Sequence, residues 1–150
     1  MGAAPQASAT NKPYFFEDLT PGLSATFAKT VTEADIVKFA EVSGDDNPVH
    51  LDQAFAEKTM FKGRIAHGML SAGFISAVLA NKLPGPGTVY LGQTLKFKAP
   101  VRPGDTVKAV VTVKEIVVEK KRAVLTTNCY VGDTMVIEGE ATVMCTSARK

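Results

Sequence analysis

Between Gly68 and Lys82 the chain carries Met69, Leu70, Ala72, Phe74, Ile75, Ala77, Val78, Leu79 and Ala80, which fall around nearly the whole circumference of a helix. A helix with so little polar face belongs inside a protein, wrapped by something else. The run Met69 to Ala80 is also too short to span a bilayer, which takes ~20 residues. The helix should start near Gly68 and stop near Lys82, ahead of Leu83-Pro84-Gly85-Pro86-Gly87.

The C-terminal half supplies the wrapping. Val89, Leu91, Leu95 and Phe97 alternate with Tyr90, Thr94, Lys96 and Lys98, and Val107, Ala109, Val111 and Val113 alternate with Lys108, Thr112 and Lys114. Leu125, Thr127, Cys129 and Val131 share a face, as do Met135, Ile137, Gly139, Ala141, Val143 and Cys145. Period-2 patterns of this kind are strands with one buried face. Turns fall at Arg102-Pro103-Gly104-Asp105, Glu119-Lys120-Lys121 and Gly132-Asp133, and the alternation slips between Val113 and Ile116, which predicts a β-bulge near Glu115.

The N-terminal half reads as helix and loop. Thr32 is a good N-cap, Glu33 and Asp35 occupy the first turn, and Ile36, Val37, Phe39, Ala40 and Val42 form a helical apolar stripe that should end at Ser43-Gly44. After the polar loop Asp45-Asp46-Asn47-Pro48, Asp52 can cap a short helix through Phe55 and Ala56. Helices and strands are segregated along the chain, so the class is α+β. Strand count alone does not distinguish a sheet curled around the helix from an open one.

A chain of 150 residues has the size of one domain, expected here over residues 13–146, with a loose tail at 1–12 and a frayed end at 147–150. The net charge of +2 comes from scattered basic residues, which excludes a nucleic-acid footprint. Cys129 and Cys145 are too few for a disulfide framework or a metal site, and both fall on apolar strand faces, so they are expected as buried inert thiols. With no apolar signal segment in the first twelve residues, a cytoplasmic protein is expected, with no membrane partner.

The two histidines lie in unusual stretches. In Ser43-Gly44-Asp45-Asp46-Asn47-Pro48-Val49-His50, a carboxylate and an imidazole stand five residues apart with Pro48 stiffening the loop between them. Such a loop can aim both groups at one water and move its protons. Spacing equally allows a plain turn, with Asn47 bonding its own backbone and His50 opening the next element. In Ile65-Ala66-His67-Gly68-Met69-Leu70, the N–H of Gly68 opens an apolar helix, where it could receive a developing negative charge or simply start the helix. His67 is open to the same choice between ligand contact and packing. Ser76, inside the helix, has no adjacent base and no nucleophile-elbow pattern. No HExxH, CxxC or carboxylate cluster indicates a metal, and no GxGxxG or P-loop a nucleotide cofactor.

Taken together, Ser43-Gly44-Asp45-x-Asn47-Pro48-Val49-His50-Leu51-Asp52, Ala54-Phe55-Ala56 and Ile65-Ala66-His67-Gly68-Met69-Leu70 resemble the R-specific enoyl-CoA hydratases of the MaoC-like hotdog family. Leu83-Pro84-Gly85, Tyr90-Leu91-Gly92-Gln93 and Phe97-Lys98-x-Pro100-Val101-x-x-Gly104-Asp105 extend the match, which runs from about Leu19 to Val143. The resemblance implies a long central helix wrapped by an antiparallel sheet, paired into a homodimer with a continuous sheet. It implies that Asp45 and His50 are the catalytic pair, that Gly68 N–H is the oxyanion donor, and that Ser76 supports the catalytic loop. His67 is grouped with the substrate-binding residues, and Ser43 and Asn47 with the loop's support. The implied reaction is addition of water to a 2-enoyl-CoA to give the (R)-3-hydroxyacyl-CoA, serving polyhydroxyalkanoate or fatty-acid metabolism. It needs no metal or cofactor beyond the coenzyme A thioester as substrate. The rivals are a (3R)-hydroxyacyl-acyl-carrier-protein dehydratase, a thioesterase on the same fold, and a non-catalytic thioester-binding module.

Overall fold

The computed structural model describes residues 14–147. The expected tail, 1–12, lies outside the described residues, as do three of the four residues of the expected C-terminal end. Described Ser147 donates to Glu17 Oε2 at 2.8 Å.

Strand β1 (Ser24–Thr30) precedes helix α1 (Glu33–Ser43). Two short helices, α2 (Pro48–Leu51) and α3 (Gln53–Glu57), lead to the long helix α4 (Gly68–Asn81), and then come β2 (Val89–Phe97), β3 (Thr106–Val117), β4 (Arg122–Val131) and β5 (Thr134–Met144). The strands form one sheet in the order β1-β3-β4-β5-β2, every neighbouring pair antiparallel. Helix α4 packs on β3, β1 and β4, which is the helix-on-sheet arrangement expected of the hotdog class.

Local chemistry explains the element ends. Thr32 Oγ1 accepts from Asp35 N and Asp35 Oδ2 accepts from Thr32 N, each at 3.1 Å, a reciprocal capping box. The Lys29 ammonium, 2.5 Å from Asp35 Oδ2, holds that carboxyl below its ordinary range, helped by the Thr32 amide. Helix α1 stops at Gly44, whose φ of 82° is left-handed and suits a residue without a Cβ. Asp52 caps α3 by accepting from Phe55 N at 3.1 Å.

The core forms where α4 meets the sheet. Phe74, Ile75, Val78 and Leu79 pack against Val107, Ala109, Val111, Val113, Leu125, Ala141 and Val143, all buried. Full burial of each large aliphatic side chain contributes roughly 1.5–3 kcal/mol. The expected bulge is present, since the β3–β4 register shifts between Val113 and Glu115.

Four features differ from the expectations. The sequence pattern predicts loop where β1 forms. Ser-Ala-Thr-Phe-Ala-Lys-Thr carries one large apolar residue, and pairing with β3 from Ser24↔Thr112 to Thr30↔Thr106 makes it a strand. Helix α2, which the sequence reading does not anticipate, begins on the last residue of the supposed loop because Pro48 takes the first helical position, where its missing N–H has no role. Helix α4 is wrapped on one side only, with Met69, Gly73 and Ala80 exposed. Strand β2 has no buried residue, although its alternation implies one buried face. Among the described residues no helix is long and apolar enough to cross a membrane.

Cys129 and Cys145 are both free and buried. Burial pushes their thiols up from the ordinary 9.0 to about 12 and about 11 respectively. A thiol that stays protonated in the fold and ionises once unfolded adds stability below pH 9; that contribution fades as the pH rises toward 11–12. At pH 8 neither thiol should react rapidly with an aromatic disulfide reagent in the native protein, and both should react in guanidinium. Fast stoichiometric release from native protein would show that the sheet's inner face is open.

Candidate active site

The loop between α1 and α2 is fixed by its own polar side chains. Ser43 Oγ donates to Phe39 O at 2.6 Å and accepts from Asp45 N at 3.1 Å, so it ties the end of α1 to the residue that begins the loop. Asp45 Oδ1 accepts from Asn47 N at 3.4 Å, and Asn47 Oδ1 accepts from Val49 N at 3.1 Å as the cap of α2. The result is a stiff turn that leaves Asp45 exposed and carries His50 into the interior, where it is 9% exposed.

His50 Nδ1 lies 2.8 Å from Ile65 O. A carbonyl only accepts, so Nδ1 holds the proton and Nε2 keeps its lone pair. The strap that offers this carbonyl is anchored in turn: Ile65 N donates to Val49 O at 3.3 Å and Ala66 N to Val101 O at 2.7 Å. Arg102 clamps its earlier part by donating to the carbonyls of Phe61, Gly63 and Arg64, and Arg64 pairs with Glu33.

His67 is the N-cap residue of α4 and is 2% exposed. Its Nε2 donates to Asp45 O at 2.8 Å, which leaves Nδ1 as the acceptor. Its ring stacks on His50 with centroids 3.8 Å apart and planes 29° from parallel, and it meets Phe39 at 4.7 Å. Gly68 follows as the first helical residue, so its N–H has no acceptor within the helix. A Cβ at Gly68 would stand 2.4 Å from the Phe97 ring. Close approach of that ring therefore requires glycine here.

These groups share one cavity of about 480 Å³, lined among others by Asp45, His50, His67 and Gly68. Its remaining wall is largely apolar, from Phe61, Ile65, Ala66, Val101, Val136 and Ile137. Ser76 is half-buried and is not among the lining residues. Eight residues beyond Gly68, it lies ~12 Å further along the helix axis. Ser71, three residues beyond Gly68, lines the cavity instead, a position that no sequence motif marks. Phe97 and Lys98, which the sequence marks through a strand pattern and as part of the family match, both reach the cavity as well.

Asp45, His50 and His67 bring ligand-capable atoms within 4.8 Å of one another. A shared metal ion needs donor lone pairs that converge at ~2.0–2.2 Å. Two rings lying nearly face to face direct their in-plane lone pairs alongside one another, so the donor set suits proton transfer better than coordination.

Comparison with known proteins places this geometry in context. The family model of the MaoC like domain matches residues 20–136. The chain is 60% identical to an (R)-specific enoyl-CoA hydratase of Rhodospirillum rubrum, with 87% of this chain and 91% of that protein covered. It is 53% identical to a 3-hydroxybutyryl-CoA dehydratase of Methylorubrum extorquens, covering 86% and 82%. Among solved structures, the unliganded R-hydratase PhaJ1 from Pseudomonas aeruginosa superposes with a TM-score of 0.85 at 46% identity, covering 90% of this chain and 87% of that one. The Asp45–His50 loop, the His67-Gly68 helix start and the sheet behind them are thus those of a MaoC-like protein, and the chain belongs to the MaoC-like family.

Proposed function

We propose that this protein is an R-specific enoyl-CoA hydratase, which also runs in reverse as a 3-hydroxyacyl-CoA dehydratase. The observation that carries this reading is the cavity itself, whose wall is shared by Asp45, by His50 with its free Nε2, and by Gly68 at the helix start. A 2-enoyl thioester is electrophilic at its β-carbon because the carbonyl withdraws electrons. A hydrogen bond from Gly68 N–H to the thioester oxygen strengthens that polarisation and stabilises the enolate as it forms. A water held between Asp45 and His50 bonds through its oxygen to the β-carbon while the pair takes one of its protons. The π electrons move to the α-carbon and carbonyl, and the pair returns a proton to the α-carbon on the same face. Hydrogen and hydroxyl are added, nothing is oxidised, and the chemistry calls for no metal or cofactor. Ser43 and Asn47 act by holding the loop, and His67 by holding Asp45 and His50 in place.

Coenzyme A is the carrier this reading favours over acyl carrier protein, in a cytoplasmic reaction. Of the basic residues near the site, Arg102 and Arg64 are engaged with loop carbonyls and Glu33. Exposed Lys98 on the cavity wall is left to meet the phosphates, with Lys96 two residues before it and Lys62 next to the wall residue Phe61.

The assembly we infer is a homodimer joined through β2. This edge strand exposes Val89, Tyr90, Leu91 and Phe97, each more than 40% accessible. An apolar edge of nine residues invites pairing. Two copies meeting about a two-fold axis would continue the sheet and cover these residues in both. A sedimentation mass near twice 15.9 kDa is expected, and a mass of one chain at micromolar concentration would refute the dimer.

The hydratase reading is tested by following the conjugated-enoyl absorbance of crotonyl-CoA with chiral analysis of the product. Asp45→Asn and His50→Gln should each lower kcat by about 10²–10⁴-fold with little change in melting temperature. Full turnover by Asp45→Asn would mean that the loop is only structural. Faster dehydration of a carrier-protein thioester than of the matched coenzyme A thioester would favour the acyl-carrier-protein alternative.

A further inference from the structure

Between α3 and α4 the chain runs through residues 58–67 without helix or strand. Phe61, Ile65 and Ala66 of this strap line the cavity, and the Ile65 carbonyl holds His50 Nδ1 at 2.8 Å. Its backbone carbonyls have no ladder to join and must find partners elsewhere. Lys62 shows how firmly the strap's shape is imposed, since its φ of 59° is left-handed, a region that residues with a Cβ seldom enter.

The side chain that meets those carbonyls is Arg102. Its guanidinium donates from Nη1 to Gly63 O at 3.1 Å and to Arg64 O at 3.4 Å, and from Nη2 to Phe61 O. These carbonyls converge on one planar cation, which presents its donors in a fixed fork and never loses its charge. Arg102 is itself braced. Its backbone N–H donates to Asp105 Oδ2 at 2.8 Å, and the turn around it is tied to Val31, which accepts from Gly104 N and donates to Asp105 O. Gln53 holds the strap on another side, with Oε1 accepting from Arg64 N at 3.2 Å. The carbonyl that meets His50 belongs to Ile65, the residue directly after the last one Arg102 holds.

We propose, resting on the hydratase reading above, that Arg102 is a positioning residue for hydration: through the strap it keeps the Ile65 carbonyl on His50 Nδ1 and so keeps Nε2 as the base. In a neutral imidazole the bond made by one nitrogen decides whether the other has a lone pair to offer. Without the guanidinium the three carbonyls turn to water, the strap is released as far as Ile65, and His50 populates both tautomers. The tautomer with its proton on Nε2 cannot accept from the attacking water.

The test uses Arg102→Met, which keeps the stem and removes the donors, and Arg102→Lys, which keeps the charge and returns part of the donor set. The chain has two histidines, and their neutral rings carry the proton on opposite nitrogens, so a long-range ¹H–¹⁵N spectrum of the ring nitrogens tells them apart. In Arg102→Met the His50 signals should move to the pattern of mixed tautomers, while His67, held by Asp45 O, keeps its own. With crotonyl-CoA, kcat should fall about 10–100-fold and KM should change by less than about threefold. Arg102→Lys should recover part of both losses, and where Arg102→Met does not fold it carries the two readouts alone. Wild-type His50 signals with wild-type kcat in the folded variant would overturn the proposal, whatever the melting temperature. A rise in KM at unchanged kcat would overturn it too, by assigning Arg102 to substrate binding. The spectrum needs no substrate, so the two readings fail separately. A wild type inert toward enoyl-CoA of every chain length would remove the hydratase reading, and with it Arg102's part in hydration, even where the His50 tautomer still answers to Arg102.

Discussion

The contact that ties Asp45 to the start of α4 is the His67 imidazole, which donates to the Asp45 carbonyl and stacks against His50. Asp45 leaves α1 and His67 opens α4, 22 residues later, and this bond acts together with the His50–Ile65 and Ile65–Val49 bonds that tie the same loop to the strap. A single hydrogen bond of this type contributes only ~0.5–1.5 kcal/mol net. Its geometric effect is larger, because both ends are rigid before they meet. The loop is set by Ser43 and Asn47, and the strap before His67 by Arg102 and the Val101 carbonyl. Phe39 closes the stack from α1, so the ring has no free direction in which to turn.

That arrangement depends on α4, which is covered on one side and open on the other. Its inner face supplies Phe74, Ile75, Val78 and Leu79 to the core, while Met69, Gly73 and Ala80 face outward. Strand β2 on the sheet edge is likewise uncovered, and Phe97 at its end stands over Gly68. The same edge therefore bears on stability and on the cavity mouth. Covering it, as in the proposed dimer, would shelter apolar surface and hold Phe97 against the helix start.

Features set by near neighbours in the chain are legible in the sequence. Thr32, Gly44 and Asp52 end helices through bonds to residues two to four positions away, and the bulge beside Glu115 announces itself as a slip in alternation. Features set by distant partners are not. Strand β1 exists because β3 offers it a ladder, and its own residues are mostly small. In β2 the alternation shows that the two faces differ, and is silent on which chain covers them. The two serines of α4 show the same limit. Ser76 is marked by family resemblance, but whether a helix residue meets the cavity depends on where the sheet lies, and that places Ser71 on its wall. Proximity of Asp45 and His50 is readable from loop length. Their tautomers are not, since the protonated nitrogen of each imidazole depends on carbonyls at Ile65 and Asp45.

Those carbonyls matter for proton transfer. Each imidazole binds one of them through an N–H, through Nδ1 in His50 and through Nε2 in His67. A histidine bound in this way keeps the bond in both protonation states, because the nitrogen involved carries a hydrogen in the neutral form and in the cation alike. When His50 gains a proton at Nε2, nothing that holds the ring has to break, and the charge it acquires faces the Asp45 carboxylate across a few ångströms. In the proposed mechanism, proton gain and loss would proceed on a fixed scaffold, with the reorganisation already made in folding. The stacked arrangement gives up convergent metal ligation and leaves His50 an imidazole that can change charge without moving.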